Sequence, residues 1–251
     1  MKILHVIFST NRIKYLTRTL ESHKYLNYGD HEVTKLIIDD YPATRNDAIF
    51  ELLCKTHKMM HWLHKDNLGL SVTWSQFFDW LKTTDFDYVL HQEDDVVLLE
   101  PVKIDDLIQI LESDPKMASV VLQRQEWYYY EEPPKLEETD TSWNNGQYYY
   151  SKNTKTFPII FSLYRKNMVD YPFREYWKFN LNEGMIMVYL EFFEKMYSAT
   201  LKNSEGKNLI NHIGEESIGI RVLEGEPNHE MFAHIDPNKP HNSRTGDPIN
   251  T

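Results

Sequence analysis

Tyr88-Val89-Leu90-His91-Gln92-Glu93-Asp94-Asp95-Val96-Val97-Leu98-Leu99 carries the chain from an apolar run into three consecutive acids and back into an apolar run. A strand that ends in clustered carboxylates holds like charges together, which is costly unless a cation or several hydrogen-bond donors neutralise them. A divalent ion is the simplest neutraliser. Hard oxygen ligands suit Mg2+ or Mn2+, ions that keep open positions for the oxygens of a substrate phosphate. The stretch therefore predicts a metal and phosphate site at Glu93, Asp94 and Asp95, the alternative being a solvated turn between two strands.

The flanking sequence supplies the rest of such a site. Residues 3–8 are an apolar run broken only by His5, the pattern of a strand buried on both faces, and Ser9-Thr10-Asn11-Arg12 follows it. Tyr15, Leu16, Thr19 and Leu20 then recur at helical spacing. A second strand, 33–38, ends in Asp39-Asp40 ahead of Tyr41-Pro42, where an Asx turn is the alternative to a binding role. Helices are predicted over 45–58, 71–80 and 104–112, further strands over 88–90 and 117–123, and a turn at Lys65-Asp66-Asn67-Leu68-Gly69. Strands alternating with helices imply an α/β fold with a parallel sheet, in which ligands bind beyond the carboxyl ends of the strands. Each polar cluster named so far sits at such an end.

Beyond residue 125 the character changes. Trp127-Tyr128-Tyr129-Tyr130, Trp143-Asn144-Asn145-Gly146 and Tyr148-Tyr149-Tyr150 are too aromatic for a disordered linker. Two readings stand together, a binding lid and a β-hairpin turning at Asn145-Gly146 with its tyrosines on the sheet. Residues 184–196 read as an apolar helix and 237–251 as a polar, Pro-rich tail.

Composition narrows the function classes. With 251 residues, 41% of them hydrophobic, the chain can bury a full core. The net charge of −11 disfavours sequence-independent nucleic-acid binding, which rests on Lys and Arg neutralising phosphates, although Lys152, Lys155, Arg165, Lys166 and Arg174 are candidates for one basic groove. A single cysteine, Cys54, excludes an internal disulfide and fits a reducing compartment. No segment approaches the roughly 18 apolar residues of a membrane span, and the expected location is the cytoplasm.

Taken in order, Thr10-Asn11-Arg12, Asp39-Asp40, the 65–71 turn and Glu93-Asp94-Asp95 resemble the motifs of nucleotide-sugar glycosyltransferases of GT-A fold, closest to the family 2-like enzymes. The resemblance is good over residues 1–100 and looser afterwards. It implies a GT-A (Rossmann-like) α/β fold, with a mostly parallel central sheet flanked by helices and an aromatic-rich acceptor-side insertion. It further implies a nucleotide-sugar half at 1–100, an acceptor half of the same domain at 101–236 and a tail at 237–251. The implied activity is metal-dependent transfer of a sugar, with Mn2+ or Mg2+, from a nucleotide-diphosphate sugar such as a UDP-sugar to a hydroxyl of a glycan or glycoconjugate. Carried over by position, Thr10, Arg12, Asp40, Lys65 and Asn67 contact the donor, Glu93 and Asp94 orient its ribose or sugar, and Asp95 is the principal metal ligand. Two elements further along also resemble the family. Asn182-Glu183-Gly184 stands where these enzymes place an acid at a helix start, which makes Glu183 the implied catalytic base, with Glu215 and Glu216 as substitutes. Ile210-Asn211-His212-Ile213-Gly214 is similar to the element whose histidine completes the metal or pyrophosphate site, which assigns that role to His212. Trp127, Tyr128, Trp143 and Tyr149 are the aromatics available to stack on an acceptor sugar.

Three other functions fit parts of this pattern. A sugar-nucleotide pyrophosphorylase would carry a Gly-rich phosphate loop after the first strand, where Ser9-Thr10-Asn11-Arg12 stands instead. A transferase acting on modified DNA bases would share the chemistry but need a basic groove. A non-catalytic, metal-dependent sugar-binding module would use the same aromatics without turnover.

Overall fold

The computed structural model describes residues 1–40, 46–66, 68–124, 136–153, 160–172, 186 and 189–213. Residues 1–212 form one compact unit; 213–251 cluster as a second, of which only Ile213 is described.

The apolar run at the N-terminus forms β1 (Lys2–Ser9), buried along almost its whole length as a run without alternation requires. Asn11, in the left-handed region at φ 60°, turns the chain into α1 (Ile13–Ser22), which continues through a 3-10 turn (His23–Tyr25) to the short β2 (Leu26–Asn27). Next come β3 (Glu32–Asp39) and α2 (Asp47–Thr56), whose first turn is capped by Asn46 accepting from the Ile49 N–H. The edge strand β4 (Met60–Leu63) leads to α3 (Leu70–Lys82), entered through Gly69 at φ 74°, a conformation open to glycine. The decisive stretch forms β5 (Tyr88–Glu93) and β6 (Val96–Leu98), with Asp94 and Asp95 as the turn between them. β7 (Val102–Lys103), α4 (Ile104–Glu112) and β8 (Met117–Leu122) complete the first part, α4 with the limits its apolar spacing predicts.

The predicted hairpin is present as β9 (Thr141–Trp143) and β10 (Tyr148–Asn153), joined by a 3-10 turn (Asn144–Gly146). Tyr148 and Tyr150 are buried in the core, as the packing alternative expects, while residues 125–135 of the aromatic segment lie outside the described residues. β11 (Phe161–Arg165), β12 (Tyr197–Asn203) and β13 (Ile210–His212) follow. Of the apolar helix expected at 184–196, Ile186 and Tyr189 are helical and Leu190–Glu194 form a single π turn. Lys195, left-handed at φ 57°, ends it. Phe192 and Phe193 point outward there rather than into the core.

Nine strands form one mixed sheet in the order β4-β3-β1-β5-β11-β8-β12-β10-β9. β4, β3, β1 and β5 are mutually parallel, and β11 and β10 run against the rest. In register, Ser9 lies beside Asp39 and Phe8 beside Glu93, so three strand ends stop at one rim. One face packs on α4, α1 and α2, and the other on α3 with Tyr164, Met168 and Leu190. Cys54 is a buried core residue without a disulfide partner, as the sequence suggests.

Two polar residues stand inside apolar strands and are satisfied by each other. The Gln92 Oε1 accepts from the Nε2–H of both His5 and His23, each at 2.9 Å, and the second nitrogen of His5 lies 2.7 Å from the Tyr28 hydroxyl. Burial holds His5 well below its usual pKa and His23 down at about 4, so both imidazoles are neutral in the folded protein. The unfolded chain, with histidines near 6.5, binds more protons than the folded one between about pH 4 and 6.5, so unfolding free energy rises with pH across that window. Stability is expected to be full above about pH 6.5 and to fall on acidification by up to about 1.4 kcal/mol per pH unit per histidine. Urea unfolding midpoints compared at neutral pH and near pH 5 measure this, and a midpoint that does not move would contradict it.

Candidate active site

The rim where β1, β3 and β5 end is tied together by main-chain donors and carboxylates. Asp94 is fully buried, and its Oδ2 accepts from the Thr10 N–H at 3.1 Å and the Arg12 Nε–H at 3.4 Å, while the Arg12 Nη2 pairs with its Oδ1. A second guanidinium nitrogen, Nη1, pairs with Asp95 Oδ2. The Asp94 N–H donates to Phe8 O at 3.1 Å, and the Thr19 hydroxyl donates to Asp94 O at 2.9 Å. Asp39, also fully buried, accepts from the Asn11 N–H at 2.6 Å. Asp40 donates its N–H to Ser9 O and accepts from the Thr73 hydroxyl at 3.2 Å, and the His64 N–H donates to Asp39 O at 2.9 Å. The loops after β1, β3, β4 and β5 thus meet at one place.

β6 pairs with β13, which sets His212 opposite Val96. The His212 Nε2 lies 3.0 Å from Asp95 Oδ1 and 3.4 Å from Glu93 Oε2. One donor atom from each of Glu93, Asp95 and His212 falls within 4.8 Å of the other two. An ion with bonds of about 2.1 Å places neighbouring ligand atoms about 3 Å apart, and two carboxylates with one imidazole form a donor set suited to Mn2+. The residues therefore fit a divalent cation.

The electrostatics separate the two aspartates. Burial pushes the Asp94 carboxyl up, to about 6, against the pull of Arg12, which still leaves it ionised at neutral pH. Asp95 is also buried, but the hydrogen bond from His212 and the charge of Arg12 outweigh that and hold it below the usual carboxylate range. For Arg12, the two aspartates overcome burial and raise the guanidinium further above its usual value.

Several expectations are sharpened. Sequence reasoning looks to an ion to relieve the crowding of the three acids, whereas Arg12 already neutralises Asp94 and shares Asp95. With both oxygens engaged and no exposure, Asp94 is a brace for the Thr10–Arg12 loop rather than a group facing a sugar. Glu93, expected beside the ribose, joins the candidate ligands. Lys65 is exposed just past β4 at the same rim. Trp143 packs against the core on β9, five strands across from β5, or roughly 24 Å at about 4.8 Å per strand. Tyr149, opposite Lys202 on β10, is four strands away. Neither is brought to the acids. Arg165 leaves the basic groove altogether, since it stands beside Tyr88 at the opposite end of β5 and donates to Leu111 O, Met117 O and Glu112. Asn67, Trp127, Tyr128, Glu183, Glu215 and Glu216 lie outside the described residues. Thr19, Thr73 and Gln92 carry no site role in the sequence reading. The available signal was a polar residue inside a buried run, which must find a partner.

No family model matches the chain, and no curated protein sequence matches it. Solved structures do. The crystal structure of S. aureus TarS aligns with 92% of this chain at TM-score 0.57 and 14% identity. The 1–349 fragment of TarS aligns with 90% at 0.52 and 14% identity, and the same fragment in complex with UDP-GlcNAc aligns with 85% at 0.52 and 13% identity. The chain spans 65% of the 1–349 fragment and 41% of the longer TarS structure. The fold is the GT-A-like fold of nucleotide-sugar glycosyltransferases. No helix among the described residues is long and apolar enough to cross a membrane.

Arg12→Met leaves the buried Asp94 carboxyl without its charged partner and is expected to cost about 3 kcal/mol, whereas Arg12→Met combined with Asp94→Leu recovers most of that loss. Chemical denaturation of both variants measures it. A single-variant cost below about 1 kcal/mol, the range of an exposed pair, would show that the lock contributes little.

Proposed function

We propose that this chain is a divalent-metal-dependent glycosyltransferase that moves a sugar from a UDP-sugar to a hydroxyl of a carbohydrate or glycoconjugate. One observation carries the reading: Glu93, Asp95 and His212 converge on a volume that suits one cation, at the carboxyl ends of parallel strands in a GT-A-like sheet. In such sheets that rim is where ligands bind.

Each residue then has a chemical task. Asp40, which follows β3 and is held by Thr73, would accept from the imide of a nucleobase. Thr10 and Arg12 lie on the loop between that position and the acids, with Arg12 supplying fixed positive charge beside a diphosphate. Lys65, exposed just past β4, and Asn67 are the proposed further donor contacts. Glu93, Asp95 and His212 would hold Mn2+ or Mg2+ between strand end and diphosphate. Such an ion stabilises the negative charge that builds on the leaving UDP as the glycosyl bond breaks. Glu183 is the proposed base that takes the proton of the acceptor hydroxyl, with Glu215 and Glu216 as substitutes, and Trp127 and Tyr128 are the proposed acceptor stack.

TarS 1–349 is seen with UDP-GlcNAc and with UDP, which makes UDP-GlcNAc the first donor to try. Three outcomes are expected. UDP with Mn2+ raises the melting temperature where neither alone does so. UDP-GlcNAc or another UDP-sugar releases UDP in the presence of Mn2+ and stops doing so in EDTA. Asp95→Ala cuts that release by roughly 100-fold or more, equivalent to losing about 3 kcal/mol of transition-state stabilisation. Binding of UDP and Mn2+ with no turnover of any UDP-sugar would instead identify a sugar-nucleotide binding module. In a second variant, Glu183→Gln is expected to retain donor binding and slow transfer; unchanged transfer would move the base to Glu215 or Glu216.

A further inference from the structure

We propose that Gln92 is a positioning residue that sets the spacing of Glu93, Asp95 and His212 by gripping the turn they flank from both ends, a role that rests on reading those three as a cation site. Gln92 immediately precedes the acids, and its Nε2–H donates to Val96 O at 2.8 Å, the first residue beyond them. One amide therefore spans Glu93, Asp94 and Asp95. Val96 is also the residue opposite His212 in the β6–β13 pairing, so the same bond ties β5 to β6, the strand with which the imidazole-bearing β13 pairs.

The amide itself has little freedom. Because its nitrogen is committed to a carbonyl, its oxygen must face the two imidazoles, and each must present an Nε2–H to it at 2.9 Å. That fixes the tautomer of His5 and leaves its Nδ1 to accept from the Tyr28 hydroxyl at 2.7 Å. Rotating Gln92 about its terminal bond would set two N–H groups against its own NH2 and a carbonyl against its own oxygen. The chain Tyr28-His5-Gln92-Val96 therefore has one fully satisfied arrangement, and a buried network with a single solution holds its end points still.

α1 and its 3-10 extension reinforce the grip on the same segment. Thr19 holds Asp94 O at 2.9 Å, the Ser22 hydroxyl accepts from the Leu98 N–H at 3.1 Å, and His23 holds Gln92. Three bonds thus fix positions 92, 94 and 98 from beneath, and Gln92 itself holds 96. None of these side chains is a candidate ligand, so their removal would change where the ligands stand and not how many there are.

Mn2+ alone is the probe, titrated into the full chain and read by the loss of the free-ion electron paramagnetic resonance signal. Gln92→Met, which keeps the length of the side chain and removes both hydrogen-bonding ends, is expected to weaken Mn2+ binding by about tenfold or more. Ser119→Ala breaks a buried hydroxyl pair with Ser198 on β8 and β12, away from the turn, and is expected to leave the affinity within about twofold of wild type. Equal affinity in Gln92→Met and wild type overturns the proposal, as does an equal loss in Ser119→Ala. Should Gln92→Met not fold, His23→Leu, a change on a half-buried turn, is read in the same way. A weakening of about threefold or more supports the grip and unchanged affinity overturns it. The wild-type titration separates the two levels of the argument: a wild type that binds no Mn2+ refutes the cation site itself, whereas a wild type that binds and a Gln92→Met that binds equally well refutes only the role of Gln92.

Discussion

The Arg12 guanidinium, clamped between Asp94 and Asp95, is the interaction on which the rim depends. It joins the loop after β1 to the turn after β5, two segments far apart in sequence, through one side chain that meets both oxygens of one carboxylate and one of the next. Burying a carboxylate as completely as Asp94 is tolerable only with a fixed opposite charge and further donors, and the Thr10 N–H supplies the additional bond. Asn11 can reach Asp39 because its left-handed conformation turns the loop tightly enough to present three successive residues to two strand ends. Without this lock, the loop and the acid turn lose the guanidinium that joins them.

The lock also divides work among three adjacent acids. Asp94 is spent on structure. Asp95 shares its oxygens, one with Arg12 and one with His212, and so couples the structural pair to the candidate ligand set. Glu93, the last residue of β5, reaches the same imidazole from the side and is the least buried of the three. An electrostatic argument from sequence treats the acids as equivalent members of a crowded cluster. The fold makes them unequal by direction: successive residues around a turn point to different places, and only Asp94 has both oxygens engaged by the loop after β1.

The chain up to α4 was legible because its signals are local. An apolar run that ends in a polar cluster dictates both a strand and the rim at which it stops, and 3–8, 33–38 and 104–112 correspond to β1, β3 and α4 with limits that differ by at most a residue or so. The pairing of His212 with Asp95 and Glu93 was legible only through a motif resemblance, since nothing in the composition of residues 210–212 reveals the strand opposite. Two other placements have physical causes. Trp143 and Tyr149 read as acceptor aromatics because tyrosine and tryptophan suit both a sugar face and a sheet face, and strand order, which sequence does not carry, put them four and five strands from the acids. Arg165 read as part of a groove, but the antiparallel run of β11 carries it to the far end of the sheet, where it closes the carboxyl end of α4.

The site is therefore built from two parts of different stiffness. The acids stand on a strand at the centre of a nine-stranded sheet, paired on both sides by β1 and β11, and their turn is held from beneath by α1. His212 arrives on a two-stranded ribbon of three residue pairs outside that sheet. A ribbon of that length is marginal by itself, so its position must come from what it packs on: Val96, Leu98, Leu209 and Ile210 are buried in the same core as α4, and the Leu209 and Ile210 N–H groups donate to Gln123 O beyond β8. The imidazole is placed by tertiary packing and the carboxylates by secondary structure. Such an arrangement fixes the two carboxylates through the central sheet and the imidazole through the packing of its ribbon, with His212 Nε2 at 3.0 and 3.4 Å from them.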